Sequence, residues 1–395
     1  MTENKYYNLI KNSEEIIIIS TSEHPNIIRK ANFMRDISRS YFNASLFTIS
    51  FKSMKQYILE SIRLLYMIRR KKIKKVIIIE PWFPILILLF SPFYKLKLIY
   101  YSGNINYDVL KKLNHNRLIV SFSKWAELNI IKKSYIILSD AKSMINFFSS
   151  YNKKGRIFYA PEFIGDLDVQ YALKSKGQEI NDFDLNNFFV IGYISTIHIE
   201  NIGGYSLPRG WELVEICKEL IKEKVPNFKF LIIGDGPGLP VLRKMVISND
   251  IENYFIFTGF VNDEMKAYLL GKIDIGFSED YKSHLTHRFN LSSKVQEYLY
   301  AGAPVVTGNQ GDKGIIICNS GNPCGICVDP LDDENPEDLK RYIKDLTDSI
   351  IFLKANPEIL SSMSDNCQII FSTNFSKKAI KATIQNIFEL ISGED

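Results

Sequence analysis

Long hydrophobic runs are missing from this sequence. Its most apolar stretch, residues 76–93, is broken by Glu80, Pro81, Pro84 and Pro92, and the uninterrupted part, residues 85–90, is too short to cross a bilayer. The first twelve residues are mostly polar and lack the apolar core of a secretion signal. Cysteine is sparse: Cys217, Cys318, Cys324, Cys327 and Cys367, an odd number that argues against a disulfide framework and for a reduced, cytoplasmic protein. Cys324 and Cys327 have thioredoxin-motif spacing but no βαβ unit ahead of them. Cys318 would add a third sulfur, and no fourth ligand is evident, so no zinc site is expected. No pair of carboxylates stands at a strand end for a divalent metal, because Asp182 and Asp184 fall in a polar linker. The basic residues are not interleaved with a nucleic-acid recognition module, so no nucleic-acid partner is expected.

What is present is ordinary globular composition, 46% hydrophobic and 24% charged, in a chain of 395 residues, long enough for two cores. Charge is divided unevenly. Residues 1–190 hold 29 Lys or Arg against 16 Asp or Glu, and the remainder holds 20 against 28. The first half therefore suits an anionic surface or ligand, or simply has a solvated basic face.

Continuous β-branched runs at residues 15–20, 45–50, 75–80, 96–101 and 135–139, with a further strand at 156–159, read as buried parallel strands separated by helices. The same rhythm resumes at 188–193, 228–233, 254–258, 273–277, 304–307 and 325–328, and three helices close the chain. The expected fold class is α/β, with two facing Rossmann-like domains built on parallel sheets. Residues 1–165 form the first domain, 166–187 the linker and 188–375 the second, and a helix at 376–395 is placed to pack back on the first. In residues 54–75, Ile58, Ile62 and Leu65 share a helix face, and Arg63, Arg69, Arg70, Lys71, Lys72, Lys74 and Lys75 follow or flank it. Core packing explains the stripe, and a helix lying on a membrane explains both the stripe and the cations.

Two segments of the second domain bear on chemistry. In LIIGDGPG (231–238), a strand runs into Gly234 and Gly236, which either let the backbone approach a ligand or only make a tight turn. The glycine spacing is not that of the dinucleotide fingerprint. In NLSSKVQEYLYAGAPVV (290–306), Ser292, Ser293 and the free N–H groups of a helix start can bind a diphosphate, with Lys294 to neutralise it and Glu297 to accept two ribose hydroxyls. The other reading is plain helix caps with Lys294 and Glu297 solvated.

The order GDGP, TGFV (258–261), DIGFSE (274–279) and SKVQEYLYAGAPVV resembles the retaining glycosyltransferases of the GT-B fold, of the family 4 or group 1 type that builds lipopolysaccharide and capsule. The resemblance covers residues 188–330 by motif and the first domain by layout. It implies a hexosyltransferase that needs no cofactor and uses a UDP-, GDP- or ADP-sugar donor. It also implies a sugar or lipid-linked acceptor on the first domain and a cytoplasmic location, peripheral at the inner face of the membrane. Glu297 corresponds to the family's ribose-binding glutamate. Arg209, before Gly210, corresponds to a diphosphate-binding lysine, and Ser292, Ser293, Lys294, Gly234 and Gly236 complete the implied nucleotide site. Ser102, Asn104 and Asn290 are the candidates near the transferring carbon.

Three departures stand out. Tyr193 follows Gly192 where the family has arginine, Phe289 stands where the family has the first of two paired glutamates, and no histidine ends the fourth strand. Glu279, Asp280, His287 and Asn290 are the candidates to stand in for that glutamate, and His24 is the one histidine near a strand end of the first domain. The same architecture also admits a nucleotide-sugar epimerase or hydrolase, or a non-catalytic partner protein.

Overall fold

The computed structural model describes residues 15–20, 25–48, 54–79, 95–102, 105–112, 116–162, 185–284, 288–289, 291–318 and 321–392. The chain divides into two compact units, Met1–Gly165 with Phe375–Asp395, and Asp166–Asn374. Each is built on a six-stranded sheet in which every strand pairs in parallel.

In the first unit the strands are β1 (Glu15–Ser20), β2 (Asn43–Thr48), β3 (Lys75–Ile79), β4 (Lys97–Ser102), β5 (Ile136–Ser139) and β6 (Arg156–Tyr159), in the order β2-β1-β3-β4-β5-β6. β2 starts two residues earlier than its hydrophobic run suggests. The helices are α1 (Pro25–Ser38), α2 (Met54–Arg70), α3 (Asn106–Lys112), α4 (Arg117–Lys133) and α5 (Met144–Tyr151). Ile16 to Ile19 are fully buried because helices cover both faces of the sheet, which is why the strand reads as an unbroken apolar run.

The faces can be told apart. Ile16, Ile18, Ile77, Ile79, Ile99 and Tyr101 pack with α1 residues Ala31, Met34 and Ile37. Tyr100 points the other way: its ring lies 6.2 Å from Phe148 of α5, and its hydroxyl donates to Glu127 of α4 at 3.1 Å or to Ser102 Oγ at 3.0 Å. Right-handed crossover connections place α2 on this second face as well. On α2, Ser61, Leu64 and Ile68 are buried, whereas Ile58 and Ile62 are exposed. The sequence stripe is thus not the packed one. Lys75 also leaves the basic cluster, buried at the start of β3 with its ammonium 5.2 Å from the Phe42 ring.

The second unit contains β7 (Phe189–Ile194), β8 (Ile199–Ile202), β9 (Tyr205–Pro208), β10 (Phe228–Ile233), β11 (Phe255–Gly259), β12 (Ile275–Ser278), β13 (Val305–Gly308) and β14 (Gly325–Val328). Its helices are α6 (Glu212–Lys222), α7 (Leu239–Ser248), α8 (Asp263–Leu270), α9 (Ser293–Ala301), α10 (Asp338–Ala355) and α11 (Pro357–Ile370). Between β7 and Arg209 the chain forms a hairpin, β8 antiparallel to β9, turned by Gly203 and Gly204 at φ 58° and 84°. Two successive positive φ values suit a tight hairpin and favour glycine. Sheet order is β11-β10-β7-β12-β13-β14. The chain therefore winds outward from β7 in one direction and from β12 in the other, and the reversal falls between those two strands. Open α/β sheets bind ligands at the carboxyl ends of such a pair.

The last helix, α12 (Lys377–Ser392), returns to the first unit. Ile380, Ile384, Ile387, Phe388 and Ile391 complete the core on the α1 face, at i, i+4, i+7, i+8 and i+11 along one stripe.

Candidate nucleotide site at the carboxyl edge of the second sheet

Tyr193 lies near the end of β7, and Glu279 directly follows β12, so both stand at the reversal point. α9 starts beside them and is fixed there by Tyr298. The buried Tyr298 hydroxyl accepts from the Ile194 N–H at 3.0 Å and lies 3.1 and 3.2 Å from the carbonyls of Gly192 and Phe277. One side chain thus ties the helix to β7 and β12 together.

The first turn of α9 delivers Lys294. Its ammonium is 2.7 Å from Glu279 Oε2 and 4.4 Å from the centre of the Tyr193 ring. Lys294 and Glu279 are 8% and 4% exposed, so of the two readings the sequence allows for Lys294 the solvated one does not hold: the ion pair and the aromatic face keep it inside. Burial opposes the charge on Glu279, but Lys294 and Arg209 outweigh it and hold the carboxyl down at about 2. Arg209 arrives from the end of β9 and is paired with Glu200 of β8 at 2.6 Å. Burial works against its charge, while Glu200 and Glu279 raise its pKa above the ordinary guanidinium value. The hairpin therefore serves as a holder that brings Arg209 towards the same centre. Tyr193, which replaces the family's arginine, contributes an aromatic face for Lys294 in place of a second guanidinium.

Ser292, at φ 71° and ψ 137°, occupies the N-cap of α9, but its side chain makes no capping hydrogen bond. A non-glycine residue at that φ is strained. The plain-cap reading therefore does not describe it: the Val295 and Gln296 N–H groups donate to the Ser292 carbonyl at 3.2 and 3.4 Å, and no side-chain cap covers the N–H groups of Ser293 and Lys294 ahead of them. Ser293 is exposed beside it.

Glu297 sits one turn further along α9. It is 9% exposed and accepts from Lys266 of α8 at 2.9 Å. The alternative of a solvated Glu297 fails in the same way. Sequence reasoning missed Lys266, and only the adjacency of α8 and α9 reveals it.

Gly234 and Gly236 have a structural explanation. A Cβ on Gly234 would stand 2.0 Å from the Ser195 carbonyl oxygen, and one on Gly236 would stand 2.5 Å from that of Ile197. The chain's own loop after β7 fills the space, so the glycine requirement is met without a ligand.

Behind the centre lies a second buried group. Asp280 is paired with Lys313 at 2.9 Å and accepts from Gln310 at 2.9 Å. Tyr281 donates its hydroxyl to Glu212, the first residue of α6, and accepts from the Trp211 indole at 3.3 Å. Burial, with Glu279 nearby, pushes the Glu212 carboxyl up to about 8. Of the candidates for the missing first glutamate, Glu279 is the one the structure brings to Lys294. Asp280 is committed to Lys313, and His287 and Asn290 lie outside the described residues.

In the first unit, Ser102 is fully buried against Tyr100, with no surface open to a substrate. This removes it as a sugar contact in the arrangement described. Asn104 and His24 lie outside the described residues. Cys318 and Cys327 are joined in a disulfide with Cα atoms 6.2 Å apart, which corrects the expectation of a fully reduced set. Cys324 is free and buried. No metal-binding cluster occurs among the described residues, and no described helix is long and apolar enough to cross a membrane.

Comparison with known proteins bears on the same region. Residues 212–355 match the family described as glycosyl transferases group 1. The chain is similar to the 2-deoxystreptamine N-acetyl-D-glucosaminyltransferase of Niallia circulans, 23% identical over 169 residues, 42% of this chain and 41% of that one. It is also similar to the alpha-monoglucosyldiacylglycerol synthase of Acholeplasma laidlawii, 30% identical over 165 residues, 40% of this chain and 34% of that one. The alignments thus span less than half the length of these curated relatives. Over nearly the whole chain, the fold is that of solved GT-B structures. Anabaena HepE in complex with UDP superposes with a TM-score of 0.66 at 15% identity, over 96% of this chain and all of that one. Sucrose-phosphate synthase from Thermosynechococcus elongatus superposes with a TM-score of 0.70 at 11% identity, over 97% and 100%.

Proposed function

We propose that this protein is a glycosyltransferase that moves a hexosyl unit from a nucleoside diphosphate sugar to an acceptor hydroxyl, with retention at the anomeric carbon. Its place is in the synthesis of a glycan, glycolipid or cell-surface polysaccharide. The observation that carries this reading is the meeting of Lys294, Arg209 and the uncapped start of α9 at the point where the second sheet reverses direction. Cations and oriented N–H groups there offset the charge of a departing diphosphate, the largest electrostatic demand of such a transfer. Glu297 lies one helical turn away, where a ribose diol can take over the carboxylate oxygen that Lys266 now holds. The complex of Anabaena HepE with UDP favours a uridine nucleotide as the first donor to try. The basic first unit is assigned to a sugar or lipid-linked acceptor.

The reaction is tested with UDP-, GDP- and ADP-hexoses and sugar or lipid-linked acceptors. The anomeric configuration of the product is read by proton NMR. An α-linked donor is expected to yield an α-linked product. An inverted product would contradict retention, and free sugar with no acceptor product would favour hydrolysis. Phe289, in place of the first paired glutamate, also supports a second reading, a nucleotide-sugar-binding partner without transferase activity. Donor binding without turnover on any acceptor would favour that one.

A further inference from the structure

The segment that supports the candidate nucleotide site from behind ends in a disulfide. Residues 310–318 follow β13 and run as one helical turn, Gly311–Lys313, into a π-helical segment, Gly314–Cys318. The start of this segment is tied to the site. Lys313 pairs with Asp280 at 2.9 Å and donates to the Glu279 carbonyl at 3.2 Å. Gln310 donates to Asp280 at 2.9 Å and to the Tyr281 carbonyl at 3.2 Å. Gly311, at φ 53°, lies against the chain that leads into α9: a Cβ on it would stand 2.4 Å from the Arg288 carbonyl oxygen and 2.7 Å from that of Phe289. Residues 310–313 therefore back both Glu279, which holds Lys294, and the approach to α9.

The far end of the segment is held by weaker groups and one covalent bond. The carbonyls of Ile316 and Ile317 each lie 3.7 Å from the Cys324 thiol, and Ile317 accepts from the Cys324 N–H at 2.9 Å. Thiols are weak donors, so the Cys318–Cys327 bond carries much of the hold on β14. Cys327 Sγ also lies 4.0 Å from the Lys313 carbonyl oxygen, which sets the bond against the residue that pairs with Asp280. A π-helical turn is rare and is found mostly at functional sites.

The bond is reachable and the other sulfurs are not. Cys318 and Cys327 are half-buried, whereas Cys217, Cys324 and Cys367 are fully buried. Burial pushes the Cys217 thiol up to about 12 and raises that of Cys367 as well, so neither supplies a thiolate for exchange.

We propose that Cys318 and Cys327 form a redox switch on the donor site: the disulfide keeps residues 310–318 in place behind Glu279 and α9, and its reduction loosens them and weakens donor binding. The partner in the exchange is a dithiol. Its thiolate attacks one of the two sulfurs, its second sulfur resolves the mixed disulfide, and it leaves as a disulfide while Cys318 and Cys327 each take a proton. Two electrons pass to the protein. The effect on donor binding rests on the nucleotide-sugar reading, whereas the hold on residues 310–318 is a property of the free protein.

The test compares the whole protein equilibrated with oxidised glutathione and with dithiothreitol, the state of the pair being read by mass after alkylation. Without nucleotide, amide hydrogen exchange at residues 279–282, 293–297 and 310–318 is expected to be slow in the oxidised form and faster in the reduced one. Titration calorimetry with UDP-, GDP- and ADP-hexoses is expected to show a loss of affinity of about fivefold or more on reduction. By linkage, saturating donor should favour the disulfide by the same factor in a glutathione titration. Cys318→Ser with Cys327→Ser should bind as the reduced wild type does in either reagent. The wild type supplies both states, so the result does not depend on the folding of that variant. The proposal is overturned if oxidised glutathione leaves Cys318 and Cys327 as thiols, if exchange at residues 310–318 is the same in both forms, or if both forms bind the donor equally. If neither form binds a nucleotide sugar while exchange still differs, the donor reading falls and the redox hold on residues 310–318 stands.

Discussion

Lys294→Met is expected to lower turnover by about a hundredfold to a thousandfold, the usual effect of removing one donor to a developing anion. It is also expected to lower stability by about 3–5 kcal/mol, because Glu279 would stay buried without its cation. Methionine retains the packing over Tyr193, so neither loss would arise from an empty space. The two losses are separable. Adding Glu279→Gln to Lys294→Met removes the unpaired charge and should restore most of the urea midpoint, while turnover stays low. If turnover recovers with stability, Lys294 acts only in folding. If Lys294→Met alone leaves both unchanged, the ion pair supports neither folding nor transfer.

Glu212→Gln is expected to change the pH dependence of stability. The Glu212 carboxyl is fully buried, accepts from Tyr281 and is pushed up from 4.5 to about 8. Its folded-state pKa therefore lies above its unfolded value. Between about pH 4.5 and 8 the native state keeps a proton that the unfolded chain has lost, so this group makes stability fall as pH rises through that window, by a few kcal/mol in all. Above pH 8 the penalty is constant, and below 4.5 it is absent. Glutamine can accept the same hydrogen bond without titrating. Chemical denaturation of both proteins from pH 5 to 9 should show a downward slope in the wild type that the variant lacks. Parallel curves would mean that Glu212 is charged or solvated. Above pH 8 its negative charge would also stand near Lys294 and Glu279, so donor affinity in the wild type should weaken there and be spared in Glu212→Gln.

The strands were legible where helices cover both faces. Ile16 to Ile19, Val76 to Ile79 and Leu231 to Ile233 read as strands because every residue is buried, and the alternation of a two-faced surface strand does not arise. Parallel pairing within each unit followed from the strand–helix rhythm, and the GT-B fold, which the solved structures share, was implied by the motif resemblance. Less local features were hidden. Lys294 meets Glu279 fifteen residues away, and Glu297 meets Lys266 thirty-one residues away, distances that no periodicity encodes. Ser102 shares a strand face with Tyr100, and period-two alternation already placed both under the helix layer. The sequence left the α2 stripe open between core packing and a surface helix, because two apolar faces lie on one helix; packing covers Leu64 and Ile68 and leaves Ile58 and Ile62 exposed. The hairpin before Arg209 carried its signal in Gly203–Gly204, but its strands are only four residues each. The Cys318–Cys327 bond passes over Cys324, so the adjacent Cys-x-x-Cys spacing drew attention to the wrong pair.

We propose that the start of α9 holds the diphosphate and ribose of a nucleotide sugar. Titration calorimetry of the wild type and Glu297→Ala against UDP-, GDP- and ADP-hexoses, and against the 2′-deoxyribose form of whichever binds, tests it most directly. Saturable binding of one ribonucleotide sugar is expected, weakened about tenfold to a hundredfold by Glu297→Ala, with little preference for the ribose form in the variant. No binding of any nucleotide sugar, or equal affinity and equal ribose preference with and without Glu297, would contradict it.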